Sequence, residues 1–191
     1  MPDRDSAARH IRAFLEAVGA PIGIDPELKR TPERVADAWI DEFLRGYRMD
    51  PKAILSERTT SVAKGLIVVR ELPVTIMCPH HLLPSWGVVH VGYWPGPYVV
   101  GFGAIAQLVE CFARRLILQE DFVNSITQAL ITHLQAEGAA AMAMLAPSCL
   151  RSRGERAHCA EVVTLSFAGC AQAEKLLQQE FMLAVQQRSH I

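Results

Sequence analysis

The sequence predicts an α+β fold in which an antiparallel sheet is covered by helices on one face. Three observations carry this. The chain opens with helical spacing of apolar residues, a cluster of short β-like runs follows, and the remainder reads as two helices, two strands and a final helix. Strands that come in runs, not singly between helices, exclude a wound parallel sheet and point to antiparallel pairing.

Each element has its own signal. Ala8, Ile11, Phe14, Leu15 and Val18 share one helical face, and Gly19 is placed to end that helix. Thr31-Pro32-Glu33 reads as a second helix start, with the threonine hydroxyl as cap and proline where no backbone donor is needed. The helix that follows carries Val35, Ala38, Trp39, Phe43 and Leu44 on its apolar side and ends near Gly46. Strands are expected at Leu66 to Arg70, Val74 to Met77, Gly87 to Trp94 and Tyr98 to Val100, with Trp94-Pro95-Gly96-Pro97 as the last turn. Helical periodicity returns over Ala104 to Arg115 and Phe122 to Ala136. Strands follow at Ala139 to Ala146 and Ala160 to Phe167. A helix over Ala171 to Gln187 closes the chain, with Leu176, Leu177, Phe181, Leu183 and Val185 as its apolar positions. An open sheet edge on so small a fold favours oligomerisation.

At 191 residues, half of them hydrophobic and one fifth charged, the chain suits a single domain, 1–191, with N-terminal helices over 1–48 and a sheet-bearing core over 60–191. A formal charge of -1 supplies no field for nucleic acid or an anionic membrane surface, so neither partner is expected. No run approaches the ~20 apolar residues of a membrane span, and Met1 to Arg12 is too charged for a signal sequence. Five cysteines, an odd number in a chain of ordinary size, suit a reducing compartment, and a cytoplasmic location is expected.

The chemistry concentrates in Cys78-Pro79-His80-His81, read with the distant Cys149. Three Cys/His ligands and one open position would make a catalytic zinc site, and hence metal-assisted hydrolysis. A Cys-x-x-His pair alone also describes a buried thiol beside a histidine that caps a turn. Here it follows directly on a strand, and Pro79 stiffens the connection. Gln119-Glu120 opens a helix: its carboxylate serves the helix dipole, or grips a guanidine-like edge together with backbone amides. Arg151 and Arg153, two apart on a segment read as extended, would project to the same side and bind an anion or face solvent. His90 reads as a hydrogen-bonded structural histidine and His133 as a surface residue. His158-Cys159 lies where a returning chain could pass the metal.

Taken together, the chain resembles the GTP cyclohydrolase I family from Thr31-Pro32-Glu33-Arg34 to Glu180-Phe181. The best stretches are Cys78-Pro79-His80-His81-Leu82-Leu83-Pro84, Gly92-Tyr93-Trp94-Pro95, Arg114-Arg115-Leu116 leading to Gln119-Glu120, and Cys149 with Arg153-Gly154. The resemblance implies a tunnelling fold whose sheets join into rings, a homodecamer of two stacked rings, and active sites at subunit interfaces. It implies that Cys78, His81 and Cys149 bind zinc, that His80 assists proton transfer, that Gln119 and Glu120 hold the purine base, and that Arg34 and Arg153 contact the triphosphate. In that family water activated at zinc opens the imidazole ring, formate leaves, and the pterin ring then closes.

The departures are as specific as the matches. Gly101-Phe102-Gly103-Ala104 stands where the family has Gly-Leu-Ser-Lys, Gln107 where it has arginine, Pro147 where it has a catalytic histidine, and Pro79 where it has glutamate. Losing two cations and a hydroxyl from a triphosphate site costs several kcal/mol, at roughly 1.5 to 3 kcal/mol per hydrogen bond to a charged group. The expected function is therefore a zinc hydrolase that opens a purine-like or related nitrogen heterocycle lacking the triphosphate, with His158 replacing the missing histidine. One alternative is GTP cyclohydrolase I itself, with Arg151 compensating in part. The other is a catalytically silent zinc-bearing regulatory subunit, for which Cys159 would be a fourth ligand.

Overall fold

A computed structural model describes residues 2–187; Met1 and residues 188–191 lie outside the described residues. The chain opens with α1 (Arg4–Ala17), whose N-cap Asp3 accepts from the Ser6 amide. α2 (Thr31–Asp37) follows and continues through a wide turn, Ala38–Phe43. Thr31 does not cap this helix. It is the first helical residue, Arg30 precedes it, and Pro32 fills the first turn where no donor is needed. A short α3 (Pro51–Ile54) and strand β1 (Arg58–Thr60) lead into the sheet.

The main sheet comprises β2 (Ile67–Met77), β3 (Pro84–Trp94), β5 (Gly138–Pro147) and β6 (Val162–Gly169), all antiparallel and in the order β2-β3-β5-β6. Between its halves lie β4 (Tyr98–Val100), α4 (Phe102–Ala113) and α5 (Gln119–Ala129), the last continuing as a wide turn over Leu130–Leu134. After β5 come α6 (Ser148–Arg151), β6, α7 (Cys170–Ala173) and α8 (Lys175–Gln186).

Two strand expectations change. Leu66 to Arg70 and Val74 to Met77 are parts of one strand, β2, interrupted by a bulge in which one extra residue lies between Val69, opposite Val91, and Leu72, opposite Val89. Glu71 takes the extra step with φ 56, and Val69 and Leu72 therefore both pack on the same core. Pro73 is tolerated because β2 is an outer strand of the sheet. Tyr98–Val100 leaves the main sheet and pairs instead with β1.

Phe122, Ile126, Leu130 and Leu134 form a stripe at four-residue spacing and are completely buried against the sheet. Each is worth about 1.5–3 kcal/mol of burial. Ala139, Ala141 and Ala143 present little bulk on the same face, which lets α4 and α5 lie close to it. The opposite face is covered in part by α8, whose Phe181 packs with Trp94, Ala140 and Met142. The expected last helix is broken at Glu174, and its Leu176 and Leu183 are 78% and 64% exposed, not core positions. Val163 and Leu165 on the outer strand β6 are also exposed.

Candidate metal centre

The ends of three adjacent strands build this centre. Met77 at the end of β2 pairs with Pro84 at the start of β3, and Ser85 pairs with Pro147 at the end of β5. The β2–β3 connection is closed by Cys78 N–H donating to the Leu83 carbonyl (3.0 Å) and Leu82 N–H donating to the Cys78 carbonyl (2.9 Å), with Leu82 at φ 53. Cys149 follows Pro147 by two residues, in the single turn α6. Ladder register therefore carries two distant cysteines to one place.

Cys78 Sγ lies 3.7 Å from His81 Nδ1, and the ligand atoms of Cys78, His81 and Cys149 are all within 4.8 Å of one another. In a tetrahedral zinc site, bond lengths of about 2.3 Å to sulfur and 2.0–2.1 Å to nitrogen place neighbouring donors roughly 3.6–3.8 Å apart. The Cys78–His81 pair already has that spacing, and the whole group is compact enough to close on one ion. The thiolate and imidazole donors suit zinc. Burial, and next the neighbouring Cys78 thiol, push the Cys149 thiol above its ordinary pKa. A cation between the two sulfurs relieves that repulsion.

His80 is exposed beside the group, its ring edge-on to His81 at 6.2 Å between centroids. The start of α5 is anchored here as well: Leu116 bridges Met77, and Ile117 N–H donates to the Met77 carbonyl (3.2 Å). This places Gln119 and Glu120 one short segment from the metal turn. Glu120 is exposed in the first turn of α5, with Asp121 beside it. Gln119 has a role its spacing did not reveal. Its side-chain amide donates to the carbonyls of Ala143 (3.2 Å) and Val162 (2.8 Å), tying α5 to β5 and β6.

The remaining candidates spread outward. Arg34 is exposed on α2, and the N-terminal helices reach the metal turn through an apolar groove shared by Phe14, Leu15, Val35, Trp39 and Leu82. Arg153, His158 and Cys159 are exposed on the segment between α6 and β6, and neither His158 nor Cys159 joins the Cys78–His81–Cys149 group. Arg151 and Arg153 do not sit on an extended segment. Arg151 belongs to the turn of α6, so the two share no face by strand alternation. The Arg151 Nε is buried without a hydrogen-bond partner among the described residues.

Glu57 also escaped sequence reasoning, because it lies in no motif. It shares a ≈ 560 Å³ cavity at the start of α4 with Ile54, Gly101, Gly103, Ala104 and Gln107, and no lysine or arginine is among the lining residues. His90 is the hydrogen-bonded histidine its strand position suggests, with Nδ1 accepting from the Glu71 N–H (3.3 Å). His133 is partly buried instead of standing at the surface, and its carbonyl accepts from Arg58 Nη1 (2.7 Å).

Comparison with known proteins gives the family of the chain. The family model of GTP cyclohydrolase I matches residues 7–186. A GTP cyclohydrolase 1 of Nitrosospira multiformis is 37% identical over 170 residues, 84% of this chain and 86% of that protein. The GTP cyclohydrolase 1 of Chromobacterium violaceum is 35% identical, covering 95% of this chain and 89% of its own length. That of Dehalococcoides mccartyi is 34% identical, covering 98% and 100%. Among solved structures, a QueF-like archaeosine synthase in the apo form aligns with a TM-score of 0.41 at 15% identity, over 55% of this chain and 93% of that one. With the family model spanning nearly its whole length, and with relatives of that family 34–37% identical over most of both chains, the chain belongs to the GTP cyclohydrolase I family.

Proposed function

We propose that this family member is a zinc-dependent cyclohydrolase that opens the imidazole ring of a guanine nucleotide and releases formate, with GTP as its substrate. The Cys78–His81–Cys149 group in a chain of this family is the observation that carries the reading. GTP takes precedence over a substrate without triphosphate because the relatives matched at 34–37% identity bear the name GTP cyclohydrolase 1.

Cys78, His81 and Cys149 would hold the ion, which supplies a Lewis acid that brings the pKa of water toward ~7. The chain's own residues do the rest. Glu120 accepts hydrogen bonds from the guanine edge and fixes the ring over the metal turn. Gln119 holds the start of α5 against β5 and β6 and so sets where Glu120 stands. His80, exposed beside His81, takes and returns the proton. His158 supplies a second proton carrier in place of the histidine that Pro147 cannot provide. Arg34 and Arg153 pair with phosphate oxygens. The outer strands β2 and β6 favour assembly into a ring, with a homodecamer as the proposed state. The whole chain, 1–191, acts as one domain in the cytoplasm, without nucleic-acid or membrane partners. No helix among the described residues is long and apolar enough to cross a membrane.

A second reading, the ring opening of a purine-like heterocycle without the triphosphate, is favoured by the cavity at α4, where Ala104 and Gln107 stand in place of cations and Glu57 adds a carboxylate. Formate release by the zinc-loaded protein separates the readings when GTP, guanosine and guanine are compared in parallel. Formate from GTP alone supports the proposal. Formate from guanosine or guanine with GTP inert establishes the second reading. Formate from none of the three would overturn both readings and is the outcome expected of a silent regulatory subunit.

A further inference from the structure

The sheet face turned away from α4 and α5 is incompletely covered by α8. Beyond Phe181 a cavity of ≈ 720 Å³ remains, walled by Val88, Met142, Met144, Val163 and Met182. Its volume falls within the roughly 300–1,000 Å³ of small-molecule sites. Methionine walls adapt to the shape of what they enclose. Glu71 is the one charged residue lining it among the described residues, so the lining supplies no cation to balance an anion.

His90 supplies the directional group. It lies directly across from Met142 in the β3–β5 ladder, lines the cavity and is only 5% exposed. Its Nδ1 accepts the Glu71 N–H at 3.3 Å. A neutral imidazole with Nδ1 engaged as acceptor carries its proton on Nε2. Burial holds the His90 pKa below its ordinary value, which keeps the ring neutral near pH 7. Nε2–H has no hydrogen-bond partner among the described residues. With one nitrogen occupied and the other protonated, the ring has no lone pair for a metal ion. It presents one fixed donor in a mostly apolar chamber, whose other polar lining residues are Glu71 and Gln186.

We propose that this cavity is a binding site, separate from the metal centre, for an uncharged, largely apolar small molecule whose one hydrogen-bond acceptor, a ketone oxygen or ring nitrogen, receives the Nε2–H of His90. The bulged Glu71 has a defined part in this. By donating to Nδ1 it fixes the tautomer that makes His90 a donor. The inference does not rest on the ring-opening reaction.

The test uses the metal-loaded protein in its native assembly. The probe is prodan, a neutral naphthalene ketone whose emission shifts to the blue in apolar surroundings, and the control is 2-(dimethylamino)naphthalene, which lacks the ketone. Saturable binding of prodan is expected, with shifts of the ε-methyl resonances of Met142, Met144 and Met182 and none at Met49. His90→Phe keeps the ring shape and removes the donor. It should weaken prodan by about tenfold or more while leaving the control ligand nearly unchanged. Met142→Trp should fill the chamber and abolish both. Circular dichroism and zinc content verify that the variants fold, and the methyl shifts in the unsubstituted protein stand without them. Unsaturable binding, or unmoved signals from the three methionines, would overturn the proposal, as when a neighbouring copy closes the cavity. Equal loss of both ligands in His90→Phe would overturn the role of the donor.

Discussion

The side-chain amide of Gln119 donates to the backbone carbonyl of Val162 at 2.8 Å, and so pins the first residue of α5 to the outer strand β6. A second bond from the same nitrogen reaches Ala143 on β5. Gln119→Ala should destabilise the fold by about 1–3 kcal/mol, because both carbonyls lose a partly buried donor. Urea unfolding measures this. Unchanged stability with a raised KM would assign Gln119 to the substrate instead of the scaffold.

Gly87 is a sharper test of the ladder that places the cysteines. A Cβ there would stand 2.0 Å from the Met144 carbonyl oxygen, whereas one at Gly65 would meet nothing within 4 Å. Gly87→Ala should cost more than about 3 kcal/mol or prevent soluble expression, while Gly65→Ala should stay within about 0.5 kcal/mol. Thermal unfolding and zinc content of the two variants distinguish them.

Removal of metal should lower the melting temperature and its return should restore it. At a thousandfold excess of metal over Kd the stabilisation is ~4 kcal/mol. Cys149→Ser should abolish stoichiometric zinc, read by elemental analysis, and reduce formate release by more than about 100-fold, beyond the 10–100-fold typical of losing an outer partner of a ligand. Zinc retained in that variant would remove Cys149 from the centre.

The buried His90 gives stability a defined pH dependence. Its folded pKa lies below the ordinary value because burial disfavours the charged ring, an effect aided by Arg70 and opposed by Glu71. The unfolded chain, with histidine near ~6.5, binds the proton first. The contribution is therefore present above that pH and is lost as pH falls toward the folded pKa. Urea midpoints between pH 7.5 and 5 should fall more steeply for the unsubstituted protein than for His90→Phe. Parallel slopes would show that His90 takes up its proton at the same pH in the folded and the unfolded chain.

His80→Ala and His158→Ala should each retain zinc. Loss of a general acid–base group lowers kcat by about 10²–10⁴-fold. Full formate release in either variant would take that residue out of proton transfer.

Much of this fold was legible because its signals are local. The apolar stripe of α5 and the Cys78–His81 spacing need only a few consecutive residues to be read. What escaped depends on partners distant in sequence. Two strands merged into β2 because Glu71 absorbs an extra residue in the left-handed region, which no period-two pattern announces. Tyr98–Val100 was recognised as a strand, but its partner Arg58–Thr60 is too short and polar to show a pattern. Leu176 and Leu183 keep helical spacing yet face outward, because α8 rests on Phe181. The position of Cys149 follows from β5 register, whereas the tie from Gln119 follows from carbonyls that any sequence would supply.

The two halves of the candidate metal centre differ in how much of the fold each requires. Cys78 and His81 are adjacent as soon as their turn forms, but Cys149 arrives only when β3 and β5 have aligned from Ser85–Pro147 to Trp94–Gly138. A slip of one residue along that ladder would turn every side chain of β5 to the wrong face and carry the second thiol away from the first. An ion held by all three residues would therefore require that the sheet has paired in its proper frame.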